Sequence, residues 1–144
     1  MSVLKAASIE NPTGSKTRTV SDICDGTARA WVNFDATASY SVGDEVNILS
    51  SFNVDSVVYD GTGKFTINFS PNTFTNTNYI FTSNVGSPES TTTFISTIQL
   101  LMNTSMSTTK TTDLCKVESI HVNAATNRTN FNYSQNYVVF YGGY

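Results

Sequence analysis

Charge is what this sequence is shortest of. Lys, Arg, Asp and Glu make up 13% of its 144 residues, about half the usual share for a soluble domain. The eight cations stand singly, and their densest pair is Lys16 and Arg18. A surface that tracks a phosphate backbone needs clustered cations, so no nucleic-acid partner is expected at a net charge of −3. Long apolar runs are also missing. None approaches the ~18 residues of a membrane span, which sets aside insertion by a helix. Met1 to Glu10 has neither the basic start nor the apolar core of a secretory signal, so synthesis and residence in a cytoplasm are expected, with exit only inside a larger object. Cysteine occurs twice, at Cys24 and Cys115, 91 positions apart. Without a secretory signal they read as two reduced, partly buried thiols, with a disulfide as the alternative.

Catalytic chemistry has little to work with. His121 is the one histidine, so a metal centre would have no second imidazole. Cys115 and His121 are six positions apart, which in one strand puts them on the same face but ~20 Å apart. That is far beyond hydrogen-bond reach for a nucleophile and its base. Asp60-Gly61-Thr62-Gly63 is not the duplicated Asp-Thr-Gly of a paired-carboxylate protease. Asp44-Glu45 sits in a turn, and Asp22 and Asp25 flank Cys24 without the spacing of a calcium loop. No phosphate-binding glycine loop and no Gly-x-Ser-x-Gly is present. The expectation is a protein that is not an enzyme, with no catalytic residue, no cofactor and no metal.

What replaces charge is short polar side chains: 22 Thr, 18 Ser and 15 Asn, together 55 residues. Thr suits the outer face of a sheet, and Asn and Ser suit turns. Such a surface favours exposed strands and persistent protein contacts. Residues 1–26 are polar, hold Pro12 and Gly14, and show no sustained period, which predicts an arm held by another chain. From residue 27 to 144, strand signals follow in quick succession. Ala28 to Phe34 alternates, with Ala30, Val32 and Phe34 on one face and Arg29, Trp31 and Asn33 on the other. Further strands are predicted over Val46 to Phe52, Val54 to Tyr59, Lys64 to Phe69, Asn78 to Asn84, Leu114 to Val122 and Tyr137 to Tyr141. Asn123 to Asn130 reads as a turn region.

The strongest local signal is the hairpin turn Asp60, Gly61 and Gly63, which separates Val57-Val58-Tyr59 from an arm burying Phe65, Ile67 and Phe69. Seven or eight short strands with no amphipathic helix predict an all-β, antiparallel sandwich of jelly-roll-like form, with an extended N-terminal arm. Trp31 has two readings, an exposed interface residue or part of a second packed layer. Phe131, Tyr133, Tyr137, Tyr141 and Tyr144 crowd the C-terminal stretch as candidate surface aromatics, suited to stacking or anchoring.

Three segments together carry a resemblance. Ala28-Arg29-Ala30-Trp31-Val32-Asn33-Phe34, Ser51-Phe52-Asn53-Val54-Asp55-Ser56-Val57, and Asp60-Gly61-Thr62-Gly63-Lys64-Phe65-Thr66-Ile67-Asn68-Phe69 resemble, in that order, the C-terminal domain of phage tail fibres of the marine cyanobacterial type. Asn78-Tyr79 and Val138-Val139-Phe140 match its later strands. The resemblance spans about residues 26–84 well and the remainder loosely. It implies family-signature packing by Trp31, Phe34, Phe52, Phe65 and Phe69. It also implies a virion protein, assembled in the host cytoplasm as a homotrimer. Residues 1–26 would attach it to other virion proteins, and outer loops would meet a receptor on the host surface such as a glycan. A short fibre tip, a capsid knob or decoration protein, and a free carbohydrate-binding module are the alternatives.

Overall fold

In a computed structural model of the chain, residues 8–10, 17–19, 26–86, 95–100, 109–122 and 128–144 are described. The chain is an all-β sandwich, two antiparallel sheets packed face to face. The strands are β1 (Ser8–Glu10), β2 (Thr17–Thr19), β3 (Ala28–Asp35), β4 (Asn47–Phe52), β5 (Val54–Gly61), β6 (Lys64–Phe69), β7 (Ile80–Val85), β8 (Ile95–Leu100), β9 (Leu114–Val122), β10 (Arg128–Asn130) and β11 (Asn136–Tyr141). One sheet runs β4-β3-β11-β7. The other runs β5-β6-β9, with β8 and β10 also pairing with β9.

Within the N-terminal arm, β1 and β2 pair antiparallel as a small hairpin, where the sequence led us to expect only extended chain. Residues 1–7, 11–16 and 20–25 of the arm, with Lys16, Asp22, Cys24 and Asp25, lie outside the described residues.

The strands form where period-two alternation can bury one side chain in two. On β3, Ala30, Val32 and Phe34 are buried while the residues between them are half-buried. From β6, Phe65, Ile67 and Phe69 face the same core, joined by Val57 and Tyr59, Cys115 and Val117, and Val138 and Phe140. Burying one such Val, Ile or Phe is worth ~1.5–3 kcal/mol.

The aromatic rings gather at the two ends of β6. Phe65 meets Phe34 with ring centroids 4.9 Å apart. Phe69 meets Phe74 at 4.7 Å and Phe140 at 4.9 Å, and Tyr79 stacks on Phe74 at 4.3 Å. Tyr133, expected near the surface, is instead fully buried in this core. Its ring lies 5.0 Å from Phe131.

Two joints shape the sandwich. Phe52 ends β4 and Val54 begins β5 in the opposite sheet, so a single residue, Asn53, turns the corner with φ 54. Its side-chain amide donates to the Arg29 carbonyl at 2.7 Å, and its own carbonyl accepts from Ser70 N at 3.1 Å. Asn tolerates the left-handed region better than any residue but Gly.

The second joint is on β9. Its residues 114–118 pair with β6, its residues 117–122 pair with β8, and its residues 120–122 pair with β10. The overlap with β8 at both ends places β6 and β10 on the same edge of β9, one after the other. Asn123 to Asn130 therefore holds a short strand where a turn alone was expected, and residues 123–127 lie outside the described residues.

Candidate functional site

The predicted hairpin is present, with a turn shorter than the predicted span from Asp60 to Gly63. Gly61 pairs with Lys64, leaving Thr62 and Gly63 as the loop. Asp60 is the extra residue of a bulge between Tyr59 and Gly61. Its carboxylate accepts from the Thr66 hydroxyl at 2.6 Å. Gly63 sits at the joint with β10. Its N–H donates to Asn132 Oδ1 at 2.7 Å, and its carbonyl accepts from Ser119 N at 2.8 Å.

Of the five signature aromatics, three and two part company. Phe34, Phe65 and Phe69 are core residues. Trp31 and Phe52 are not: they are direct cross-strand partners on the outer face of the four-stranded sheet. Phe52 stays 50% exposed, and Trp31 is half-buried. Trp31 thus falls between its two readings, turned outward on the sheet yet more covered than Phe52.

The register extends that face across all four strands. Val139 lies beside Trp31 and Thr82 beside Val139, while Tyr137 lies between Asn33 and Asn84. Tyr141 pairs with Ile80, which is 69% exposed. Leu49, squeezed out by the β-bulge between Asn33 and Phe34, is exposed as well. Asn33 Oδ1 is buried in this layer without a hydrogen-bond partner. Ile80, Val139 and Leu49 were not picked out from the sequence. Alternation along β11 carried the signal for Val139, whereas Leu49 depends on a bulge that no local pattern announces.

Two concavities lie elsewhere. A cavity of about 290 Å³ is lined by Thr37, Phe131, Asn132, Tyr133 and Ser134. Its Thr37 hydroxyl is committed to Asp35 Oδ1 and its Asn132 amide oxygen to Gly63 N. A groove of about 390 Å³ runs between the β4 and β5 edges, with Glu45 and Asp55 as its carboxylates. Among the described residues no group of three His, Cys, Asp or Glu could hold a metal ion.

Cys115 is a free thiol at 0% exposure, on the inner face of β9. Burial pushes it up from 9.0 to about 12, against a lowering by the Tyr79 hydroxyl and by the Lys110 charge. Tyr79 is raised too, first by its own burial and then by Cys115. Its hydroxyl lies 3.0 Å from the Thr111 carbonyl and 3.1 Å from the Leu114 carbonyl, while Lys110 Nζ sits 4.4 Å over its ring. A thiol held protonated inside the core is a packing group and a poor nucleophile.

A stability consequence follows. The unfolded thiol loses its proton near 9, whereas the folded one keeps it to about 12, so the unfolded state binds fewer protons in that interval. The free energy of unfolding, measured by urea titration, therefore falls as pH rises through it, by at most ~1.4 kcal/mol per pH unit from this group. Cys115→Ala flattens the first part of that decline, before Tyr79 adds its own above 10. An unchanged slope in the variant refutes the assignment.

No family model, no curated protein and no solved structure matches this chain.

Proposed function

We propose that this chain is a structural protein of a phage particle, a tail-fibre-like β domain that works in several identical copies for assembly and for adhesion to the host surface. The resemblance of residues 26–84 supplies the particle and implies three copies. The observation that best supports the reading is the open aromatic face: two signature side chains, Trp31 and Phe52, are kept where the core does not use them. Aromatic side chains left on a surface by a folded domain serve contacts made outside it. Adhesion then works by multivalency, in which weak single sites add through effective concentration. Residues 1–26 attach the domain to other virion proteins.

Mass spectrometry of purified particles tests this, with the chain expected at a fixed copy number per particle. Its absence from intact particles overturns the reading. Deleting residues 1–26 is expected to abolish incorporation while circular dichroism still reports a folded β domain. Normal incorporation of the shortened chain refutes the anchor.

A further inference from the structure

The two outer faces of the sandwich differ in chemistry. On the five-stranded sheet, Lys64 pairs with the buried Glu118 and the buried Thr66 with Lys116, and Asp60 holds Thr66, so charges of both signs are interleaved in that layer. The four-stranded sheet turns Phe52, Trp31, Val139 and Thr82 outward in one row, and Ser50, Asn33, Tyr137 and Asn84 in the next. Its outward charges among the described residues are Arg29 and Asp35, one of each sign at opposite ends of β3. Arg29 is committed by two hydrogen bonds to the Thr73 carbonyl, at 2.8 and 3.1 Å, and lies 4.5 Å over the Tyr144 ring. Asp35 Oδ1 accepts from the Thr37 amide and hydroxyl.

We propose that the outer face of β4-β3-β11-β7 is the surface through which copies of this chain meet, its occupant being a second copy. Charge selects that occupant. Two chains at −3 each repel, and the repulsion is least where the shared face carries one cation, one anion and otherwise neutral side chains. A basic or acidic partner would find no complementary field on this face. Size agrees. Four strands ~4.8 Å apart, each giving about six residues of ~3.4 Å, outline ~400 Å² of flat sheet. With Phe52 and Ile80 protruding, two such faces bury on the order of 1,000 Å², the lower bound for a specific interface. The proposal rests on the multi-copy reading above but joins copies two by two, since a face that meets its own copy closes a two-fold contact.

Trp31 is the one tryptophan, so intrinsic fluorescence reports this face directly. In the full chain, light scattering is expected to show assembly as concentration rises, with blue-shifted emission and weaker acrylamide quenching. A Phe52→Ser, Ile80→Ser double variant keeps the reporter and alters only exposed side chains. Its assembly is expected to weaken about tenfold or more, the loss typical of truncating large apolar side chains in an interface. Val58→Ser, on the opposite outer face, is expected to leave assembly unchanged. Undiminished assembly of the double variant, with Trp31 freely quenched, overturns the proposal while leaving the multi-copy reading intact. A single-chain mass at every concentration overturns both. Emission that responds to soluble oligosaccharide and not to concentration assigns the face to a glycan and overturns self-association.

Discussion

Phe69→Ala is expected to lower the free energy of unfolding by about 4 kcal/mol, the middle of the range for deleting a buried Phe ring. Phe69 sits where three aromatic partners converge: Phe74 at 4.7 Å, Phe140 at 4.9 Å and Tyr79 at 5.6 Å, all edge to face. These come from the β6–β7 connection and from β11, so the ring ties both sheets and the segment between them. Collapse into the hole is resisted, because Tyr79 is pinned by its hydroxyl to residues 111 and 114 and Phe140 is hydrogen-bonded into the middle of a sheet. Each edge-to-face pair adds ~0.5–1.5 kcal/mol beyond area. Against a total stability of ~5–15 kcal/mol the variant is close to unfolding at ordinary temperature. Urea titration by circular dichroism measures the loss, with Phe52→Ala as comparison. Phe52 is half exposed, and its truncation is expected to change the free energy of unfolding by less than ~1 kcal/mol. Equal losses in the two variants contradict the division of the signature aromatics into core and face.

Gly63→Ala is expected to be the most damaging of the glycine substitutions in the hairpin, at about 3 kcal/mol. Gly63 has φ +62, and an added Cβ would stand 2.5 Å from Phe131 N and 2.6 Å from the Ser119 carbonyl oxygen. Both are backbone atoms. Neither can rotate away, and the Phe131 N–H already donates to that same oxygen at 3.1 Å. Relief requires the hairpin tip to pull back from β9, which gives up the Ser119 N–H to Gly63 bond and the Gly63 N–H to Asn132 bond. Gly61 separates strain from clash. It has φ +141 but nothing within 4 Å of an added Cβ, so Gly61→Ala carries only the conformational part. Hydrogen exchange at the Phe131 amide is expected to accelerate in Gly63→Ala and not in Gly61→Ala. The reverse order would show that the joint is not where β10 is held.

Much of the fold was legible because it is local. Alternation gave the inward face of β3, and an apolar run followed by Asp-Gly and a second alternating run gave the β5–β6 hairpin. The details that slipped are those fixed by distant chain. The turn closed from the Asp60, Gly61 and Gly63 span to Thr62-Gly63, with Gly61 paired to Lys64 and the left-handed Gly63 accepting from the distant Ser119 N–H at the tip. Arg128–Asn130 became a strand because β9 outruns β6 and leaves an edge to fill. Tyr133 looked like a surface ring, since nothing in Asn132-Tyr133-Ser134 reveals that its side chain enters the core while its carbonyl accepts from Ala36 N. The outer face was half legible. Trp31 was visible as an outward residue, but its row needed the register of β4, β11 and β7, three segments far apart in sequence.

The placing of β11 has a consequence for how the domain is made. It is the latest strand in the chain, yet it lies in the middle of its sheet, between β3 and β7. Asn136 reaches back 102 positions to bond the Phe34 carbonyl. A chain emerging from the ribosome can close the β5–β6 hairpin early. The four-stranded sheet must wait, with the inner edges of β3 and β7 unpaired, until β11 arrives between them. Contacts this distant in sequence slow folding, and edges left open that long invite pairing with a neighbouring nascent chain. For a protein translated in many copies at once, the hazardous interval is the time between β7 and β11.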